Sequence, residues 1–179
     1  MSDGAGPAGA PGAPRERALS RHDVAAAAVR LYAEQGYEAT SVEQIAAAAG
    51  VSRSTFFRQF RSKEDVVFAD HDVLLDEAEA FLARPHDDPW DAVCAAAELV
   101  FAHFAEERDL AQLRYEVVNR EPSLRDKELV TTFRYERLFR RYLSSAVAGI
   151  APLDAVRFAA TVIATHNYCL RGLMRGEAG

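Results

Sequence analysis

The chain has 179 residues, enough for one ordinary domain or for a small domain fused to a larger one, and its 49% hydrophobic content calls for a packed core. Its two cysteines, Cys94 and Cys169, stand far apart and outside any Cys/His cluster, so neither a disulfide framework nor a zinc site is suggested and buried thiols are the expectation. The net charge of −6 is unevenly spread: Arg15 to Glu64 carries eight basic and six acidic residues, whereas Asp65 to Gly179 carries thirteen basic and twenty acidic.

Residues 1–14 are nearly all Gly, Ala and Pro and are expected to form a disordered tail. Ser20 with Asp23 reads as a capping box, and Val24, Ala27, Ala28, Leu31 and Tyr32 follow at helical spacing until Gly36. Thr40 with Glu43 repeats that signature for a short second helix, and Gly50 ends it at the left-handed position. Ser52 caps a third helix to about Phe60. Ser62 with Asp65 opens a fourth to about Ala83. Asp88-Pro89-Trp90-Asp91 then predicts a helix to about Glu107. Further helices are expected over Leu110 to Asn119, from Ser123 with Asp126 to about Ala148, and from Pro152 to about Met174. No segment alternates with period two for long, so the fold class is all-α.

The second and third helices form a helix-turn-helix, at about residues 41–60. Within Ser52 to Glu64 there are four basic residues and one acidic, a local basic patch on an acidic chain. A helix that enters the major groove must present donors and small side chains to base edges. Ser52, Arg53, Ser54, Thr55 and Arg58 supply them, while Val42, Ile45, Val51, Phe56 and Phe60 read as the core that sets the angle between the two helices. Thr40, Ser41 and Lys63 stand where hydroxyls, amides and a cation can meet phosphate.

The run Gly36-Tyr37-x-x-Thr40-Ser41-Val42-x-x-Ile45-Ala46-x-x-Ala49-Gly50-Val51-Ser52-x-x-Thr55-Phe56-Phe57-x-x-Phe60-x-Ser62-Lys63-Glu64 resembles the N-terminal signature of the TetR family of bacterial transcriptional regulators. Over residues 20–75 the resemblance implies a dimeric repressor, or less often an activator, that binds a palindromic operator and releases it when a small molecule occupies the C-terminal domain. It implies phosphate contacts for Thr40, Ser41 and Lys63 and base-edge contacts for Arg53, Ser54 and Thr55. The chain departs from the pattern at Phe57, where the family often has Tyr with a phosphate-binding hydroxyl, and at Gln59, where His is frequent. The phosphate grip is therefore expected to lean on Arg58, Arg61 and Lys63.

The resulting organisation is the tail, a DNA-binding domain over 15–75 whose fourth helix links it onward, and an effector-binding and dimerisation domain over 76–179. In the latter, the aromatic residues Trp90, Phe101, Tyr115 and Phe139 and the embedded polar residues His103, Arg114, His166 and Asn167 are the candidates for an effector pocket. The last helix is apolar on more than one face, which fits packing against both the core and a second copy of the chain. Family members usually follow this helix with one more, and this sequence ends at Gly179.

No Glu-x-x-His pair, His-Glu-x-x-His, Gly-x-Ser-x-Gly or glycine-rich phosphate loop is present, so no enzymatic activity, metal or cofactor is expected. No apolar run approaches the ~18 residues that span a bilayer, and a cytoplasmic location without membrane contact is expected. The expected partners are double-stranded operator DNA, an unidentified apolar or amphipathic effector, and a second copy of the chain. The rival readings are a helical-bundle adaptor and a constitutive DNA binder.

Overall fold

Ser20 Oγ accepts a hydrogen bond from the Asp23 amide (3.2 Å), and Asp23 Oδ2 accepts one from the Ser20 amide (2.9 Å), which closes the expected capping box on α1 (Arg21–Gln35). The computed structural model describes residues 20–177, so the N-terminal stretch read as a disordered tail lies outside the described residues. Gly36, at φ 92°, ends α1 in a conformation that L side chains rarely adopt.

The next cap differs from expectation. Ser41 and Gln44, not Thr40 and Glu43, form the capping box of α2 (Val42–Ala48). Thr40 is buried, and its hydroxyl donates to the Gly36 carbonyl (2.7 Å) while accepting from Gln35 Nε2 (3.1 Å). It seals the turn between the helices and so leaves the capping role to its neighbour. Gly50 takes φ 64°, and Ser52 Oγ accepts from the Thr55 amide to open α3 (Arg53–Gln59).

The fourth helix is also divided, into α4 (Lys63–Val67) and α5 (Ala69–Leu82). At Phe68 the backbone opens to φ −108°, ψ 17°, and the hydrogen bonds run over three residues, from the Phe68 amide to Asp65 O and from the His71 amide to Phe68 O. The break falls where the chain passes between cores. Val66, Val67, Phe68 and Ala69 pack with α1 to α3, whereas Leu74 and Ala78 pack with the later helices.

Asp88 caps α6 (Pro89–Glu106) through the Trp90 amide (2.7 Å), and α7 (Arg108–Arg120) follows after Glu107. The next helix, α8 (Pro122–Ala146), starts one residue before the expected Ser123 cap, because Pro122 takes the first helical position and places Ser123 inside the first turn. Last comes α9 (Pro152–Met174). Among the described residues there is no strand.

The head formed by α1 to α4 does not own its core. Val117 and Val118 from α7 and Leu124 from α8 complete it, so α1 sits on α7 as an integral part of the packing. In the lower layer α8 and α6 both pack on α9. The two thiols are not buried as expected: Cys94 is half-buried and Cys169 lies on the outward face of α9. That face carries Leu153, Ala160, Ala164 and Tyr168, the last 74% exposed, and only Ala155, Ala159 and Met174 of α9 are fully buried.

Candidate nucleic-acid interface and ligand cavity

The orientation of α3 is set from beneath. Phe56 is fully buried against Ile45 and Phe60, with the Phe56 and Phe60 ring centroids 5.2 Å apart, and Val51 closes the turn. Burying Phe56 on one side of a seven-residue helix turns Arg53, Ser54, Phe57 and Arg58 outward, and all four are exposed.

The outward face is ordered in advance by weak local contacts. Ser52 Oγ lies 2.9 Å from Ser54 Oγ and donates to Thr55 Oγ1 (3.0 Å), which gathers three hydroxyls at the start of the helix. Arg53 Nε is 2.9 Å from Glu43 Oε1, and its guanidinium lies 5.3 Å from the centroid of the Phe57 ring, itself 44% exposed. Both members of the Arg53–Glu43 pair are well exposed, so water screens the pair and a base edge can compete for the guanidinium. Arg58 and Arg61 are exposed, and among the described residues neither is paired with a carboxylate. Gln59 is half-buried with its Oε1 shielded and unpartnered.

The three residues given phosphate roles by resemblance are placed differently from one another. Ser41 is exposed at the start of α2. Thr40 is inside the turn described above. Lys63 is drawn inward: its Nζ donates to the Tyr37 carbonyl (3.0 Å), lies 4.0 Å from the Tyr37 ring centroid and is 3.9 Å from Glu38. Tyr32 Oη donates to the Lys63 carbonyl (2.9 Å), and Tyr37 Oη donates to Glu64. Burial pushes the Glu64 carboxyl up, but hydrogen bonds from Ser62 and Tyr37 outweigh it and hold the group below its ordinary value. Burial raises the hydroxyl pKa of both Tyr32 and Tyr37, followed by the Glu64 charge at Tyr32 and by the hydrogen bond to Glu64 at Tyr37, so both stay protonated donors. Lys63 thus anchors α4 to the turn that carries α2.

A polar knot joins the head to the rest of the molecule. Asp70 on α5 accepts from Arg114 on α7, its Oδ1 lies 3.2 Å from His22 Nδ1 on α1, and its Oδ2 lies 3.9 Å from His103 Nε2 on α6. His22 Nε2 is also 3.2 Å from Glu107. Asp70 and Arg114 are each 7% exposed. Burial works against the Asp70 carboxylate, but the charge and hydrogen bond of Arg114, aided by His22, hold its pKa below the ordinary value.

Beside the knot is a cavity of about 80 Å³ enclosed by α5 to α9. Of the residues expected to line a pocket, Arg114, Tyr115, Phe139, His166 and Asn167 do so; Trp90, Phe101 and His103 do not. Trp90 packs on Phe158 at 4.7 Å, Phe101 meets the outside of the His166 ring at 6.2 Å, and His103 turns to the polar knot. The lining also includes His71, Glu128, Tyr135 and Arg171.

His71 Nδ1 lies 3.2 Å from Tyr135 Oη, and burial, reinforced by Arg114, pushes the His71 pKa down to about 3, so the ring is neutral. Burial likewise lowers the pKa of His166 and raises that of Glu128. Arg114, which lines the cavity, has its Nε buried without a partner, unlike the nitrogen that meets Asp70. His71 was hard to find from sequence because it sits on the helix assigned to linking the domains. Among the described residues no group of three or more His, Cys, Asp or Glu could hold a metal ion, and no helix is long and apolar enough to cross a membrane.

Residues 24–69, which span α1 to the start of α5, match the family model of bacterial regulatory proteins, tetR family. The chain is 33% identical over 98 residues to the HTH-type transcriptional regulator HbdR of Aromatoleum sp. (strain CIB), a match covering 53% of this chain and 43% of that protein. It thus spans less than half the length of that curated relative. The fold is similar to that of a TetR-family transcriptional regulator from Syntrophomonas wolfei str. Goettingen, with a TM-score of 0.65 at 17% identity over 86% of this chain and 82% of that one. It is also similar to SmeT in its complex with triclosan, with a TM-score of 0.60 at 21% identity over 88% and 84% of the respective chains.

Proposed function

On the match of residues 24–69 to the model of bacterial regulatory proteins, tetR family, we propose that the chain is a ligand-responsive transcriptional repressor of that family that reads a palindromic operator through α3. The observation that carries this reading is the outward face of α3. Arg53, Ser54, Thr55 and Arg58 stand on a helix whose other side is locked by fully buried Phe56, which is the arrangement major-groove readout needs. Ser41, Arg58 and Arg61 serve phosphate contacts at the flanks, and Thr40 supports the turn from inside. Lys63 acts by fixing that turn as well as by its charge.

A second copy of the chain packs on the outward face of α9. The small side chains of Ala160 and Ala164 between Leu153 and Tyr168 allow close helix approach, and two-fold symmetry presents two reading heads about 34 Å apart.

The effector enters the cavity beside Arg114. Its apolar body is met by Phe139, Val100 and Met174, and an acceptor atom on it satisfies the unpartnered Arg114 Nε. The triclosan bound by SmeT is a small molecule in a protein of similar fold, and this chain's effector is of comparable apolar character. At about 80 Å³ the cavity is well below the ~300 Å³ at which small-molecule sites begin, so a ligand must part α5, α7 and α8 to enter. Those helices hold the head, through the Asp70–Arg114 pair and through Val117, Val118 and Leu124. An effector that favours the parted state therefore moves the reading heads.

Titration of DNA recovered from a randomised library, in the presence and absence of small apolar acids and phenols, tests the reading. Recovery of palindromes that a compound displaces supports it. Palindromes that no compound displaces indicate a constitutive binder, the reading that the small size of the cavity would favour. Absence of any enriched DNA indicates a helical adaptor.

A further inference from the structure

A second concave site adjoins the apolar cavity, from which Phe68 and Thr131, lining both, divide it. It is a cleft of about 530 Å³ between the end of α3 and the middle of α8, within the ~300–1,000 Å³ usual for small-molecule sites. Five cations line it: Arg21 from α1, Arg58 from α3, Arg61 from the following turn, and Lys127 and Arg134 from α8. Only two carboxylates face them, and both are already engaged. Asp65 pairs with Lys127 and accepts from the Arg61 amide (3.1 Å); Asp72 pairs with Arg134 (2.7 Å) and Arg21 (3.4 Å).

That leaves an excess of three positive charges in a recess. Arg58 and Arg61 have no carboxylate partner among the described residues, and the amide of Gln59 borders the same space with its Oε1 shielded and unpaired. Five converging cations repel one another, a cost that an anion between them removes. A guanidinium fork is matched to phosphate oxygens, and several forks around a recess suit a compact polyanion better than a single carboxylate.

We infer that this cleft binds a small phosphate ester carrying a diphosphate or two nearby phosphates, held between the reading head and α8. The chemistry of phosphate is shared with the DNA backbone, but two of the five cations sit on α8, outside the head, and the surface is concave. Both features favour a free molecule that enters the recess. Because its ligands come from α1, α3 and α8, an anion here ties the recognition helix to the second domain. It provides an input to the reading head with a lining chemistry different from that of the adjoining apolar cavity.

The test is calorimetric titration of the DNA-free protein with pyrophosphate and with ADP at fixed ionic strength, with sulfate as a control for unspecific anion binding. The variants are Arg134→Gln and Arg61→Gln; Arg61 is exposed and unpaired, so its loss leaves the fold intact even if Arg134→Gln loosens the seam. The inference predicts one pyrophosphate bound per chain, ADP binding at the same site, and an affinity loss of about tenfold or more in each variant, as expected for removal of one charge-assisted contact. It is overturned if pyrophosphate gives no binding, if sulfate binds as well as pyrophosphate, or if neither variant changes the affinity. A parallel titration with DNA separates the sources. If pyrophosphate does not bind and Arg134→Gln instead lowers DNA affinity and its salt dependence, the cleft belongs to the DNA backbone and the free-ligand inference fails.

Discussion

Replacing Asp70 by Asn isolates the contact that joins the head to the second domain. In the native protein Asp70 faces Arg114, His22 and His103, and the Asp70 and Arg114 side chains are each 7% exposed. The Asp70→Asn chain keeps the shape and one acceptor but leaves the Arg114 guanidinium buried without a counter-charge, while its Nε already lacks a partner. Breaking a buried pair from one side costs about 3–5 kcal/mol, and the retained amide oxygen places the expectation near the lower end. Urea denaturation reads this as a fall in midpoint at unchanged slope.

The double variant Asp70→Asn/Arg114→Leu removes the stranded charge and is expected to recover at least about 1.5 kcal/mol relative to the sum of the single variants. The acid limb gives a second readout. With its pKa held below the ordinary 3.8, Asp70 contributes stability that is present above that value and lost as pH falls through its folded pKa. The single variant lacks that loss. A single variant within about 1 kcal/mol of the native protein, or single effects that simply add, would refute the claim that this pair holds the seam.

Three further outcomes follow from the same geometry. His71, with its pKa pushed down to about 3, refuses a proton that the unfolded chain accepts, so stability falls as pH drops below about 6.5, by about 1.4 kcal/mol per unit from this residue alone. His71→Gln should flatten that decline in pH-dependent denaturation curves. Phe56→Ala empties a fully buried site under α3 and should cost about 3–5 kcal/mol by denaturation, with loss of DNA binding. Arg53→Ala should relax preference at particular base pairs in competition titrations, whereas Arg58→Ala should weaken binding to all sequences and lower the salt slope by about one.

The sequence was most legible where local chemistry decides structure. Ser20–Asp23, Ser52–Thr55, Ser62–Asp65 and Asp88–Pro89 all act as the caps that their residue types demand, and Gly36 and Gly50 take the positive φ their positions imply. It misled where two local solutions compete. Thr40 and Ser41 both offer a hydroxyl at the start of α2, and the choice is made by Gly36 and Gln35, which hold Thr40 in the turn. The break at Phe68 has no local signature, because it arises from the change of packing partner between the two cores.

The cavity shows the same division. Arg114, His166 and Asn167 stood out as polar residues on apolar helices, and all three line it. His103 looked equivalent but faces the other side of α6, toward Asp70, and no single-helix pattern could separate the two environments. The cationic cleft was half visible. Arg58 and Arg61 belong to the local basic patch, but Lys127 and Arg134 join them only through the placement of α8.

On the proposed reading, α3 meets DNA as one of two symmetric heads. Selection of bound duplexes from a randomised library, followed by anisotropy titration of the recovered sequence at several salt concentrations, tests it most directly. The expected result is a palindrome with half-site centres one helical turn apart and a steep salt dependence, with sequence preference altered by Arg53→Ala. Recovery of no preferred duplex, or of a preferred duplex bound equally well by the Arg53→Ala chain and unchanged in sequence preference, would contradict it.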